Sequence, residues 1–338
     1  MSVGVLSCII NLIMARKNKK YSVVSLFAGC GGLDLGFKGG FSFLGKKYQP
    51  LKYDIVWAND LDENACQTFR YNLGDTIIAG DINKILSSTN VNLSNHLPKK
   101  ADVVLGGFPC QDFSHAGKRR GFNSQRGQLY KSMAEVIKRT NPVMFVAENV
   151  RGLLTMDNGK AIETIIKYFS SLGYHVVPQL YLSANYEVPQ KRERIVLVGT
   201  KKKILPPFDH PKPKLTADKW ITLKKAIGDL ERVPEGKYPN HYWSKAKKNK
   251  GQGNGMVSPS KPGPTMRAEH HGNIEWHWNG KRRLSAREAA RIQSFPDNFV
   301  FSPSTSSAYK QIGNAVPPVM AWHLAKHIQS FLDKHLHS

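Results

Sequence analysis

The stretch "SLFAGCGG" at residues 25–32 ends an apolar, β-branched run, "YSVVSLF" (21–27), and turns through glycines into the start of a helix. Glycines in such a turn let the backbone approach a bound group closely. The spacing is not GxGxxG and no Gly-Lys-Ser/Thr follows, so a phosphate cradle is not indicated. A tight structural turn would account for the glycines alone. Two acids add to it. Asp60 follows the next strand candidate, "YDIVWAN" (53–59), where a dinucleotide fold places a carboxylate for ribose hydroxyls. Asp81 closes the candidate "DTIIAGD" (75–81) and suits an adenine amino group. A nucleoside cofactor with no pyrophosphate to hold is the economical reading, and S-adenosylmethionine fits it.

Outward from this turn, short apolar runs alternate with helical segments up to about residue 200. The further strand candidates are "ADVVLGG" (101–107), "NPVMFVAEN" (141–149), "YHVVPQLYL" (174–182) and "RIVLVGT" (194–200). Helical candidates lie between them at 62–73, 129–140 and 160–172. Near-continuous apolar strands separated by helices predict an α/β fold, with a mostly parallel Rossmann-like sheet covered on both faces. Ligands of such sheets sit beyond the C-terminal strand ends, where "AGCGG", "ANDLD", "AGD", "GGFPC" and "AEN" all fall. From 201 to 280 Pro, Lys, Asn and Gly dominate, interleaved with Tyr238, Tyr242, Trp243, Trp276 and Trp278. That composition predicts a loop-rich region with a basic, aromatic surface suited to nucleic acid. One helix is expected there (220–230), and helices return at 285–295 and over 319–336.

The chain carries 49 Lys+Arg against 25 Asp+Glu, a net charge of +24. Such an excess predicts attraction to polyanions, nucleic acid first. Cys8, Cys30, Cys66 and Cys110 form no CxxC pair and no Cys/His cluster, so neither a disulfide framework nor a metal site is expected. Residues 3–14 are apolar but too short to span a bilayer, and no basic segment precedes them. Residues 1–13 read as an extension upstream of Met14, within an unstructured N-terminal segment (1–20), and no membrane association is expected.

Cys110 sits in "GGFPCQDFSHAG" (106–117), just after a strand candidate, in a loop stiffened by Pro109. A lone cysteine there is more often structural than catalytic. Its company changes that. Glu148 ends the following strand candidate, and Arg192 and Arg194 stand two apart in "QKRERIVLVG", on one face of an extended segment. A thiol, a carboxyl group and guanidiniums around a nucleoside cofactor suit attack on a polar heteroaromatic ring.

In order, "SLFAGCGGLDLGF", "GGFPCQDFS", "RGQLY", "ENVRG", "QKRER" and "QIGNAVPP" resemble the DNA (cytosine-5) methyltransferases of the compact bacterial restriction–modification kind. The resemblance runs from about Ser22 to Ala325, with 201–280 matched in position and not in motif. It implies that Cys110 is the nucleophile adding to cytosine C6, in a base flipped out of the duplex. Glu148 would hold the N3 and amino edge, while Arg194 with Arg192 would contact the base carbonyl and support the carboxyl group. For S-adenosylmethionine it implies Phe27, Ala28, Gly29, Gly31, Gly32, Asp60, Leu61, Asp81, Ile82, Leu129, Asn314 and Val316. The family's ribose acid is usually Glu and is Asp60 here; the aromatic often next to it is Leu61.

The loop behind the nucleophile would meet DNA, through Ser114 and through Lys118, Arg119 and Arg120 on phosphates. Region 201–280 resembles a target-recognition region in which Arg267, Glu269, His270 and His271 could read bases, or equally contact phosphate or serve as scaffold. The expected division is 21–200 for catalysis and cofactor, 201–280 for recognition, and 281–338 returning to the catalytic part. Double-stranded DNA is the expected partner of a cytoplasmic, nucleoid-bound monomer, with a cognate restriction endonuclease as its functional counterpart. An RNA cytosine methyltransferase on the same core is the first rival, and a silent DNA-binding relative the second. Amino-group methyltransferases are set aside because "LPPF" (205–208) has Leu where a polar group is needed.

Overall fold

The computed structural model describes residues 20–88, 97–108, 129–247, 253–268 and 274–336. The strands are β1 (Tyr21–Leu26), β2 (Phe41–Phe43), β3 (Lys46–Tyr48), β4 (Tyr53–Asp60), β5 (Ile77–Ala79), β6 (Val103–Gly106), β7 (Met144–Val150), β8 (Tyr174–Leu182) and β9 (Glu193–Lys201). Seven of them form one sheet in the order β5-β4-β1-β6-β7-β9-β8, and β2 and β3 pair as a hairpin. The five strands from β5 to β7 are parallel, as the buried runs predict. β9 runs antiparallel to both of its neighbours. Only residues 183–192 separate β8 from β9, and a parallel return needs a crossover of a dozen residues or more.

The helices are α1 (Gly32–Lys38), α2 (Glu63–Leu73), α3 (Ile82–Ser87), α4 (Leu129–Thr140), α5 (Lys160–Ser171), α6 (Leu223–Ile227), α7 (Ala286–Ile292), α8 (Thr305–Asn314) and α9 (Pro318–Leu336). Alternate residues of each strand feed opposite faces of the sheet. Val23, Val103, Leu105, Val146 and Val198 join one core with α1 and α7 to α9. Val24, Val104, Phe145, Ala147 and Leu197 join the other with α4 and α5. Residues after 281 thus pack on the same sheet as residues 21–60. Gly36 allows the closest contact between them, since a Cβ there would lie 2.3 Å from Ala321 Cβ and 2.7 Å from the Pro318 carbonyl oxygen. Among the described residues, no helix is long and apolar enough to cross a membrane.

Chain order places the functional edge. From β1 the chain winds outward to β4 and β5, then returns across β1 to β6 and β7. The reversal lies between β1 and β6, and ligands of open α/β sheets bind at such a switch point. The glycine turn after β1 and the "GGF" exit of β6 leave the sheet side by side there, with Leu26 paired to Gly106.

Candidate active site

The turn after β1 is held open by backbone geometry. Phe27, Gly29 and Gly31 all adopt positive φ, at 53°, 56° and 90°. The three glycines serve different ends. A Cβ on Gly31 would lie 2.3 Å from Leu73 of α2, and one on Gly32 would lie 2.4 Å from the Val316 carbonyl oxygen. A Cβ on Gly29 would meet nothing within 4 Å, so Gly29 borders open space. Gly32 thereby brings the C-terminal "NAVPP" segment against the first turn of α1.

Asp60, at the end of β4, ties the turn together: its Oδ2 accepts from Gly29 N–H at 2.7 Å and its Oδ1 from Asp62 N–H at 2.8 Å. Burial raises its carboxyl above the usual range, against the pull of those N–H groups. Asn59 donates to the Ile78 and Gly80 carbonyls, each at 2.9 Å, which fixes the exit of β5. There Asp81 caps α3, accepting from Asn83 N–H at 2.9 Å. Leu61 is 71% exposed beside Asp60, an apolar side chain facing open space. Ile82 is buried, so its main chain and not its side chain is what a ligand could meet. Leu129 opens α4, and Asn314 is exposed at the end of α8.

Asp34, in the first turn of α1, is fully buried beneath this turn. Burial pushes its carboxyl up to about 6, with the Ser25 hydroxyl acting the other way. The folded chain therefore holds this proton more tightly than the unfolded chain. The group is without cost below its ordinary value of 3.8, and stability is lost as pH rises from there to about 6. At about 1.4 kcal/mol per unit, that loss is about 3 kcal/mol. Urea unfolding of wild type and Asp34→Asn at pH 4 and pH 7 measures it. The variant is expected to lose less stability over that interval.

At the end of β7, Glu148 Oε1 lies 2.8 Å from Arg194 Nε, with both side chains 12% exposed. Arg194 is paired across the ladder with Val150 and also donates to the Glu193 carbonyl at 2.7 Å. A Cβ on Gly107 would lie 3.2 Å from Glu148 Oε2, so the β6 exit loop runs past this carboxylate. Asn149 fixes the same loop. Its side-chain nitrogen donates to the Phe108 carbonyl at 3.0 Å, and its oxygen accepts from Val150 N–H at 2.8 Å. In the sequence, an amide beside an acid at the end of a strand candidate, in "AEN", was the available signal for Asn149. Cys110, Ser114, Lys118, Arg119, Arg120, Glu269, His270, His271 and the N-terminal residues 1–19 lie outside the described residues.

Arg192 serves a different contact from the one its spacing suggested. Its guanidinium donates to the carbonyls of Met266 at 2.9 Å, Gly313 at 2.9 Å and Ala315 at 3.1 Å, and the residue is 1% exposed. It precedes the first residue of β9, outside the pleat on which a two-residue period rests. Gln190 supports the same junction, accepting from Met266 N–H at 3.0 Å and donating to Ile292 O at 3.2 Å. Gly313 lets the Arg267–Ala268 backbone come close, for a Cβ there would sit 2.3 Å from Ala268 N. The Arg267 segment is thus pinned beside Asn314.

Among the described residues, region 202–280 holds no strand of the sheet, only isolated bridges, and its order comes from arginines on and before α7. The expected helix at 220–230 is shortened to α6 and a following 3-10 turn. Arg283, fully buried, donates to the carbonyls of Ala246, Lys247, Gly253 and Ile274 and to the Asn254 side chain. Arg287 binds the Pro239, Pro296 and Phe299 carbonyls. Arg282 grips buried Glu288 at 2.6 and 2.7 Å within the capping box of α7. The expected aromatic surface is half-buried, with Tyr238, Trp243, Trp276 and Trp278 all partly exposed. Trp243 stacks on Lys245 and Arg282, Trp276 on Arg283, and Tyr238 on Arg287 and Arg291. Tyr242, 49% exposed, stays on the surface. Arg283→Met is expected to cost about 3 kcal/mol, because the buried Ile274 carbonyl and the partly buried carbonyls of Ala246 and Gly253 lose their donor. Hydrogen exchange should speed up at 244–247 and 253–254 while cofactor affinity stays unchanged.

A family model described as C-5 cytosine-specific DNA methylase matches residues 21–258 and 236–330. The chain is 37% identical over 345 residues to the type II methyltransferase M.NgoFVII of Neisseria gonorrhoeae, covering 92% of this chain and 87% of that one. It is 35% identical to M.Sau96I of Staphylococcus aureus, over 96% and 79% of the two chains. Among solved structures, a putative DNA modification methyltransferase from an E. coli prophage superposes with a TM-score of 0.71 at 22% identity, over 93% and 100% of the chains. The S. pombe Dnmt2 methyltransferase superposes at 0.64 and 16%, over 93% and 99%. At those identities the two structures speak for the fold alone.

Proposed function

Since the chain belongs to the C-5 cytosine-specific DNA methylase family, we propose a division of labour among its residues in methylating cytosine in a short duplex site. The protein is a DNA (cytosine-5) methyltransferase of the type II restriction–modification kind. Its target base must leave the stack, because C6 is inaccessible within a duplex. Cys110 then supplies the nucleophile: its sulfur bonds to C6, and the displaced electron pair makes C5 electron-rich. Glu148 holds the N3 edge and donates the proton that stabilises this charge. Arg194 orients Glu148 through the 2.8 Å contact and reaches toward the base carbonyl. Once C5 carries the methyl group, loss of its proton returns electrons through the ring and expels the Cys110 thiolate. The product is 5-methylcytosine and the thiol is regenerated.

The methyl donor is of the S-adenosylmethionine type, and its sulfonium supplies an electrophilic methyl group. The residues at the β1, β4 and β5 edge fit such a group. Gly29 borders open space, Leu61 offers an exposed apolar surface for the adenine, and two carboxylates stand at the strand ends. Asp60 would take the ribose hydroxyls and Asp81 the adenine amino group. Phe27, Ala28, Gly31, Gly32, Ile82, Leu129, Asn314 and Val316 would line the rest. Arg192 acts by keeping the recognition segment and the 313–316 loop in register. Ser114 and Lys118 to Arg120 would close on phosphates, and Arg267, His270 and His271 would face the target site. A cognate endonuclease is the functional counterpart this reading implies.

The observation that carries the reading is the Glu148–Arg194 pair beside the β6 exit loop that leads to Cys110. Duplex DNA substituted with 5-fluorocytosine tests it, because fluorine at C5 cannot leave as a proton and the adduct persists. A covalent complex mapping to Cys110 is expected. Methylation that proceeds without any trapped adduct overturns it.

A further inference from the structure

We propose that the edge of the sheet opposite the crevice is a second docking surface, which takes the phosphates of another duplex DNA segment. Several strands present lysines at this one edge. Lys20 precedes β1, Lys99 and Lys100 precede β6, Lys138 is near the end of α4, which leads to β7, and Lys202 and Lys203 follow β9. All six are exposed. Backbone bonds stitch their neighbours together. Asp102 N–H donates to Ser22 O at 3.0 Å, Ala101 N–H to Thr140 O at 3.1 Å, and Lys201 N–H to Val143 O at 3.1 Å. At about 4.8 Å per strand, β1 to β9 spans about 14 Å, or about four base-pair steps of duplex at 3.4 Å each.

Three carboxylates near this edge have other partners, while exposed Asp54, in register with Ser22, adds one negative charge at the start of β4. Asp102 accepts from Ser22 N–H and hydroxyl, both at 2.8 Å. Asp333 takes Tyr21 and Lys52, and Glu135 takes Arg139. Among the described residues, the six lysines form no ion pair, whereas the arginines around α7 are taken up inside the protein. Like charges also crowd here: burial and then the charge of Lys203 hold Lys201 below its usual value. A duplex in the crevice does not serve this edge. Arg194 and Lys201 are seven residues apart on β9, about 23 Å at 3.3 Å per residue.

The test counts 20-base-pair duplexes bound per protein, by sedimentation at low salt, for wild type and for K20E/K99E/K100E/K138E. Wild type is expected to take two duplexes and the variant one, with methyl transfer to a short duplex within about twofold of wild type. Second-site affinity should fall at least tenfold, and its log-salt slope should become shallower by roughly 3 to 4 at 0.9 per phosphate. If charge reversal prevents folding, the Lys→Gln quadruple variant gives the same reading. One duplex on wild type, two on the folded variant, or binding of phosphatidylglycerol vesicles in place of a second duplex overturns the proposal. The count does not depend on methyl transfer, so its failure is distinct from failure of the enzymatic reading.

Discussion

Replacing Cys110 with alanine is expected to leave duplex binding intact and to lower methyl transfer by a factor on the order of 10⁴ or more. Removing a covalent nucleophile takes away the step on which the others depend, so the loss is that of the whole unit. Binding should survive because affinity for DNA rests on phosphate contacts by the many cations. Single-turnover transfer of labelled methyl groups and filter binding on the same preparation measure both. Transfer within tenfold of wild type would remove Cys110 from the chemistry.

The second large effect is expected at the Glu148–Arg194 pair. Glu148→Gln keeps the shape of the side chain and removes the proton it donates, so transfer should fall on the order of 10²- to 10⁴-fold. Arg194→Ala should approach that loss by another route. It leaves a carboxyl group that is only 12% exposed without the guanidinium 2.8 Å away that holds it in place, so Glu148 loses its orientation toward the base. Since both changes disable one unit, the double variant should be little worse than the weaker single variant. Losses that simply multiply would show that the two residues act separately.

Much of this arrangement could be read from residue order. The apolar runs at 21–27, 53–59, 75–81, 101–107 and 141–149 hold the five parallel strands, because buried strands are apolar on both faces. That same uniformity hides direction. The reversal of β9 depended on the short 183–192 connection, not on any pattern within "RIVLVGT". The hairpin of β2 and β3 is too short for a period to register. Helix α8 begins in "TSSAY", capped by Ser304, where serines resemble loop. The contact between Glu148 and Arg194 was legible because both lie in regular strands that meet at one edge. Arg192 was not, since its role depends on Met266, Gly313 and Ala315, far away in sequence. The net charge of +24 likewise did not reveal that Arg283 and Arg287 are buried clamps.

The most direct test of the central claim is bisulfite sequencing of unmethylated duplex DNA after incubation with the protein and S-adenosylmethionine. Protection from deamination at cytosines of one short recurring sequence, and at no others, is the predicted result. Label entering DNA with every cytosine still converted would mean that the methyl group is not on C5. That outcome, or transfer to RNA alone, would contradict a duplex-DNA cytosine-5 methyltransferase.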